Sequence, residues 1–237
     1  MRPIRAHYRL NGNGEHDPGC RYSFDDRAAD IVKDSRGTVV TGADHYDLRI
    51  PQDWAEPVTG EHEPETSGQP RTRLDVTNSK RTFNPLLGSA ARIVQLIDQF
   101  ENDPDAASRF RAIFGGVRIP WNEFCHSTSD LTSLYDFVSQ STARKHPIAI
   151  HGTIGDVKAI KAPTTRMRDA EKIYIHTDSR RQLRVSVLTK SPAALNTLEI
   201  HDKWLAFGNW DLSHANGIPY SEIQLWIRNQ ASISTWK

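Results

Sequence analysis

The clearest strand of the chain reads Ile148-Ala-Ile-His-Gly-Thr-Ile-Gly-Asp-Val-Lys-Ala-Ile160. Two glycines, Gly152 and Gly155, interrupt it, and glycine lets a strand bend sharply where a side chain would resist. A long strand that bends in the middle can serve both halves of a small barrel. The run 148–160 therefore predicts the first strand of a small β-barrel.

Alternation of aliphatic and polar side chains continues after this run. In one segment, for example, Leu183, Val185 and Val187 alternate with Arg184 and Ser186. The pattern predicts four further strands, over 172–177, 182–188, 203–211 and 221–228, and a short helix over 192–198. The strands over 172–177, 182–188 and 221–228 each have an aliphatic inner face and a mixed outer face.

The order of these elements resembles an OB-fold. The resemblance rests on the long bent strand 148–160, on the helix between the third and fourth strands, and on Trp204-Leu-Ala-Phe-Gly208 ahead of the last strand. It covers residues 147–237 and implies a five-stranded barrel whose ligand crosses the second and third strands. Barrels of this class bind single-stranded nucleic acid, sugars or other proteins.

Aromatic and cationic side chains fall on the ligand face that this resemblance implies. Single-stranded nucleic acid requires this combination, because bases stack on rings while cations meet phosphates. The candidates are Tyr174, His176 and Arg184 on strands, Lys161, Arg166 and Arg168 in the first loop, and Trp226 and Arg228 on the last strand. Such residues are also ordinary on the outer face of a strand, and Trp210 and Trp226 have the alternative of packing against the preceding helices.

The sequence before residue 147 predicts helices and a pair of strands. A helix over 25–34 and strands over 38–41 and 45–50 are followed by a linker or exposed loop over 52–73, rich in Pro and Glu. In the middle section, Ile93, Leu96, Ile97 and Phe100 form an amphipathic stripe. A second helix is expected from Asp103-Pro104 to a stop at 115–116, and a third from residue 129.

Together these predictions give an α+β fold with three parts. They are an N-terminal α/β segment over 1–86, a helical region over 87–146 that braces the barrel, and the OB-like barrel over 147–237. The short connector between the second and third helices is expected to pack Trp121 and Phe124 onto them.

Composition and charge narrow the class of protein. The 30 Lys and Arg nearly balance the 29 Asp and Glu, so the whole-chain charge favours neither nucleic acid nor membrane. Residues 147–237 hold 12 basic and 8 acidic side chains, a net +4, and are the only basic third. Cys20 and Cys125 do not make a disulfide framework, and no apolar signal core or eighteen-residue apolar run occurs. We expect a cytoplasmic protein without a membrane partner.

The N-terminal segment contains candidate zinc ligands. His7, His16 and Cys20, with His45 further on, supply the nitrogen and sulfur ligands of which zinc binds about four. The segment resembles the His and Cys residues found downstream of cysteine-rich modules in bacterial competence-type, nuclease-related proteins. Arg9 stands where that family has a second histidine, and no cysteine-rich module precedes it. Zinc is the only cofactor expected, and polar loop residues without a ligand are the alternative.

Three functions fit these observations. The leading one is a non-enzymatic, cytoplasmic bacterial protein that binds single-stranded nucleic acid through the barrel. The second is a protein-interaction module in which the outer aromatic residues Trp210, Trp226 and Trp236 dock on a partner.

The third is a nuclease-related enzyme with a divalent metal. Asp156-Val-Lys158, with Asp136 upstream, matches the acid and lysine pattern that holds a catalytic magnesium. No nucleophile elbow, phosphate-binding loop or dinucleotide fingerprint occurs. Cys125 and His126 are expected to be structural, because adjacent residues do not usually converge on one metal.

Overall fold

The fold is α+β, as the sequence predicts. The computed structural model describes residues 23–51, 76–100, 105–140, 146–161, 164–169, 174–176, 181–190, 195, 198–214, 220–227 and 232–237. Strands in these ranges form one four-stranded sheet and one nine-stranded sheet. Four helices accompany them within the same ranges.

The first part of the fold is the four-stranded sheet with two helices. Its elements are α1 (Ser23–Asp34), β1 (Val39–Thr41), β2 (Tyr46–Ile50), α2 (Val76–Gln99), β3 (Phe110–Phe114) and β4 (Val117–Pro120). The strand order is β1-β2-β3-β4, with a parallel pair in the centre and antiparallel pairs outside. The parallel pair β2 and β3 is joined through α2, the kind of crossover that parallel strands require. The predicted helix 25–34 and both predicted strands are confirmed.

The amphipathic stripe in the middle section is also confirmed. Ile93, Leu96 and Phe100 are buried, and α2 extends upstream from them to Val76, across the expected boundary at residue 86. Trp121 and Phe124 in the short helix α3 (Trp121–Phe124) are buried, and their rings pack against those of Phe110 and Phe207.

The helix expected over 104–114 is wrong. A 3-10 turn at Ala107–Arg109 leads into strand β3, and β4 returns antiparallel with Phe114 opposite Val117. Gly115 and Gly116 form the two-residue turn between them, with φ of 58° and 82°. Two consecutive positive φ values are the signature of the hairpin turn that matches strand twist, and glycine adopts them without strain. The glycine pair therefore makes a hairpin here and does not end a helix.

The second part is the nine-stranded sheet. Its elements are β5 (Cys125–Ser127), α4 (Leu131–Ser139), β6 (Ile148–Lys161), β7 (Thr164–Asp169), β8 (Tyr174–His176), β9 (Arg181–Thr189), β10 (Lys203–Gly208), β11 (Asp211–His214), β12 (Tyr220–Ile227) and β13 (Ile233–Trp236). The main order is β11-β12-β9-β7-β6-β10-β13, with β5 beside β6 and β8 beside β9. Helix α4 confirms the third predicted helix. The helix predicted over 192–198 lies largely outside the described residues.

Strand β6 serves two parts of this sheet, as the glycines predict. Its first half, Ile148 to Thr153, pairs with β10, and its second half, from Ile154, pairs with β7. The strand predicted over 203–211 is not continuous, because residues 209 and 210 separate β10 from β11. Among the described residues the path of paired strands ends at β11 and β13, so the sheet is not closed into a barrel.

Two hydrophobic cores lie on either side of a shared wall. The first core contains side chains of α1, α2, β2 and β3, and the second contains side chains of α4, β7, β9 and β12. Strands β6 and β10 contribute to both: Ala149 and Leu205 face the first core, whereas Ile150 and Trp204 face the second. Because successive strand side chains point to opposite faces, two strands can line both cores.

Candidate functional site

The candidate residues lie on one face of strands β7, β9 and β12 of the larger sheet. This face points away from the second core and is here called the outer face. Met167 on β7, Val185 and Val187 on β9 and Ile223 and Leu225 on β12 are buried in the second core. Their sequence neighbours therefore point outward. The inward residues predicted for β9 and β12 are confirmed.

Arg166 and Arg168 lie on strand β7 and not in a loop, which corrects the sequence prediction. They flank the buried Met167, so both guanidinium groups lie on the outer face. Lys161 is the last residue of β6 rather than a loop residue. Within the described residues, the second strand predicted over 172–177 corresponds to the short strand β8, and an additional strand, β7, precedes it.

Strand register arranges the outer face in two cross-strand rows. Lys158, Arg166, Leu188 and Trp226 occupy one row, on β6, β7, β9 and β12 in turn. Asp156, Arg168, Ser186 and Gln224 occupy the next row. With about 4.8 Å between neighbouring strands, each row spans roughly 15 Å.

Arg184 and Glu222 continue the outer face. They are register partners on the parallel strands β9 and β12. Each lies two residues before the member of the second row on its own strand, Ser186 or Gln224. Tyr174 and His176 lie on β8, which pairs with the start of β9, and their side chains lie outside the described part of the protein. Arg228 also lies outside the described residues.

One of the charged residues of this face, Glu222, has a buried carboxylate. The Glu222 side chain is only 8% exposed. Its Oε1 accepts a hydrogen bond from the Ser186 hydroxyl, and its Oε2 accepts one from the Gln224 amide nitrogen. Ser186 is fully buried although its strand position is an outward one. A carboxylate with two donors is a satisfied buried group and not an isolated charge.

Two guanidinium groups flank the same carboxylate at a longer distance. Arg166 Nη1 lies 3.8 Å and Arg168 Nη2 lies 4.0 Å from Glu222 Oε1. Arg168 Nη1 also lies 4.0 Å from Asp156 Oδ2, and Lys158 Nζ lies 2.9 Å from the same oxygen. Separations of 3.8 to 4.0 Å are ion pairs without a direct hydrogen bond. Glu222 therefore attracts both arginines without occupying their donors.

Trp226 is an exposed aromatic residue of this face. Its side chain is 52% exposed, in a row with Leu188, Arg166 and Lys158. Trp210, by contrast, is buried in the second core, 6.2 Å from the Trp204 ring, so its predicted role as an outer docking residue is wrong. Trp236 is half-buried on β13 and packs against the first core.

His45 lies between two carboxylates on the small sheet. Its Nδ1 lies 2.7 Å from Asp44 Oδ1, and its Nε2 lies 3.3 Å from Asp47 Oδ1. The hydrogen bond from His45 keeps the pKa of the Asp44 carboxyl below its usual range. Within the described ranges, no three His, Cys, Asp or Glu side chains come together as a metal site. His7, His16 and Cys20 lie outside those ranges, so the zinc site stays a prediction.

The acid and lysine of the nuclease pattern pair with each other. Lys158 Nζ lies 2.9 Å from Asp156 Oδ2. Asp136 lies on α4, which packs against the second core, the opposite side of the sheet. Cys125 is buried, and burial raises the pKa of its thiol, which fits the structural role expected for it.

Sequence reasoning missed Glu222, Ser186 and Gln224. Ser221-Glu-Ile-Gln-Leu-Trp-Ile alternates perfectly, which identifies the outward side chains but not their neighbours. The missing information was the parallel pairing of β9 with β12, which is long-range. No motif in the sequence indicates it.

Comparison with known proteins found no relative: no protein-family model matches the chain, and no curated protein matches it. Among the described residues, no helix has both the length and the apolar character needed to cross a membrane. The function is therefore inferred from the outer face itself.

Proposed function

We propose that the protein binds single-stranded nucleic acid on the outer face of β7, β9 and β12, as a cytoplasmic protein without catalytic activity. The carrying observation is the row that places the exposed Trp226 beside Leu188, Arg166 and Lys158. A base can stack on the exposed indole while phosphates meet the two cations along the row. Stacking does not depend on base identity, so we expect weak sequence preference.

We also propose that β6, β7, β9, β12 and the broken strand β10 and β11 form an OB-like, partly open barrel. Two observations support this part of the proposal. Strand β6 pairs with β7 and β10 through its two halves, and only two residues separate β10 from β11, which pairs with β12. In such barrels the face of the second and third strands is the ligand face, and here these would be β7 and β9.

Binding to a labelled single strand, followed by fluorescence anisotropy across a salt series, tests the proposal. We expect binding at low salt, with a logarithmic slope of about −0.7 for each phosphate contacted. Trp226→Ala removes the stacking surface and should weaken binding by roughly 5- to 150-fold, the range for loss of one stacked base. Arg166→Gln should weaken binding less and reduce the salt slope by about 0.7.

Arg49→Gln is the matched control for loss of charge. Arg49 is an exposed arginine on β2, in the other sheet, so its replacement should leave affinity and salt slope unchanged. Absence of binding by the unaltered protein at low salt, or unchanged affinity in Trp226→Ala, would overturn the proposal.

A protein partner is the second candidate, and the exposed Trp226 is also the observation that favours it. Ile160, 43% exposed near the end of β6, adds apolar surface on the same strand as Lys158. A protein that docks on an aromatic surface should bind with little salt dependence, whereas phosphate-dominated binding weakens steeply. The salt series therefore separates the two candidates.

A further inference from the structure

The Glu222 carboxylate is surrounded by donor groups of the kinds that bind oxyanions. Four donor groups converge on its carboxylate: the Ser186 hydroxyl, the Gln224 amide, and the guanidinium groups of Arg166 and Arg168. Hydroxyl, amide and guanidinium donors around one negative group are the usual means of holding a phosphate. In this protein the chain supplies the negative group itself.

The two arginines are held less firmly than the other donors. Their distances to Glu222 Oε1 exceed hydrogen-bonding range, and the Nε atoms of both arginines are buried without a hydrogen-bond partner within the described residues. Their side chains are 13% and 20% exposed, more than Glu222 at 8%. The arginine side chains are therefore more accessible to a ligand from solvent than the carboxylate is.

We propose that Glu222 is an internal competitor of the bound strand: its carboxylate and a phosphodiester compete for Arg166 and Arg168, and this competition limits the affinity of the outer face. The inference rests on the proposed function for the identity of the natural anion. Charge attraction to Glu222 keeps the guanidinium groups against the sheet, and a phosphodiester draws them outward. Removal of the Glu222 charge should therefore increase affinity.

Glu222→Gln is the test, because it preserves the size of the side chain and removes its charge. We expect a labelled single strand to bind roughly tenfold more tightly, with a steeper salt dependence from the added phosphate contacts. Asp211→Asn is the matched control. Asp211 is an exposed acid on β11 and the register partner of Gln224. Its replacement by asparagine removes one negative charge near the site without changing a residue that contacts the arginines.

Pyrophosphate provides a readout that does not involve nucleic acid. In a thermal unfolding assay, pyrophosphate should raise the Tm of Glu222→Gln and leave that of the unaltered protein nearly unchanged. The double variant Arg166→Gln with Glu222→Gln should lose this response. Glu222→Met serves the same purpose should Glu222→Gln not fold, because apolar side chains of similar size often replace buried ion-paired residues.

The two readouts separate the two proposals. If the unaltered protein and Glu222→Gln both fail to bind single strands, but pyrophosphate still stabilises Glu222→Gln, the nucleic-acid function is wrong and the competition stands. Equal affinities for Glu222→Gln and Asp211→Asn would show an effect of net charge alone and would overturn the competition. So would a Glu222→Gln protein with neither tighter binding nor a response to pyrophosphate.

Discussion

Gly152 is a position that suits only glycine, because any side chain there would clash with neighbouring side chains. A Cβ at this residue would lie 2.2 Å from Asp169 Oδ2 and 2.2 Å from Thr128 Oγ1. The Asp169 carboxylate also accepts hydrogen bonds from the Trp204 indole at 2.8 Å and from the Thr153 backbone at 3.0 Å. Glycine therefore lets the buried Asp169 carboxylate of β7 reach across β6 to the Trp204 indole on β10.

We predict that Gly152→Ala destabilises the protein by about 3 kcal/mol, the upper end of the range for overpacking, because the methyl group displaces Asp169 from its donors. Urea unfolding followed by tryptophan fluorescence measures the change. Gly88→Ala is the control: nothing lies within 4 Å of a Cβ there, and the site is within α2. That change should be neutral or stabilise by up to about 1 kcal/mol. Equal effects of the two variants would contradict the steric explanation.

His151 is a half-buried titratable residue whose desolvation predicts a pH-dependent stability. It lies on β6 between β5 and β10, with register partners Ser127 and Leu205. Burial, with a smaller contribution from the charge of Lys203, lowers its pKa to about 4. The unfolded chain, with a histidine pKa near 6.5, therefore binds more protons than the folded protein between these values. Stability should fall as pH decreases through that window.

We predict that the free energy of unfolding decreases by about 2 kcal/mol between pH 7 and pH 5 because of this residue. His151→Val should abolish that part of the decrease, whatever its effect at pH 7. Urea titrations at the two pH values give the comparison. His201→Asn is the control, since His201 is exposed and its φ of 77° suits asparagine. A pH dependence unchanged in His151→Val would contradict the assignment.

At the scale of elements, local patterns in the sequence predicted the type of several elements and the side of each that is buried. The stripe in α2 and the alternation in β9 and β12 identified both the element and its buried side. Gly115-Gly116 was ambiguous, because glycine ends helices and also forms two-residue hairpin turns. The alternation of buried Phe110 and Ala112 favours the hairpin, and the pairing of β3 with β2 decides it.

The candidate site was predicted in part, and partly for the wrong reason. The sequence predicts Arg166 and Arg168 to be loop cations, yet they lie on β7, whose apolar inward residue is Met167. A strand with this composition, Thr164-Thr-Arg-Met-Arg-Asp169, carries too little hydrophobic alternation to be recognised from sequence. Trp226 was identified correctly as an outward residue, but its exposure depends on which elements cover the outer face. That information is tertiary.

At the scale of the whole molecule, the two cores share the wall formed by β6 and β10. On β10, Leu205 and Phe207 contribute to the first core, and Trp204 and Ala206 contribute to the second. One strand backbone therefore carries side chains of both cores. Unfolding of β6 and β10 would therefore remove side chains from both cores at once. The two sheets are therefore expected to unfold together, although their strands are not paired with each other among the described residues.

Hydrogen exchange in matched Leu→Ala variants tests this coupling. Leu48→Ala opens a cavity in the first core and Leu225→Ala opens one in the second, and each should cost about 2–5 kcal/mol. If the shared wall couples the cores, Leu48→Ala lowers the opening free energy of the slowest β9 amides as much as that of the β3 amides. Leu225→Ala should do the same in reverse. Loss of protection confined to the sheet that carries the substitution would show that β6 and β10 separate the cores and do not join them, so that each sheet unfolds on its own.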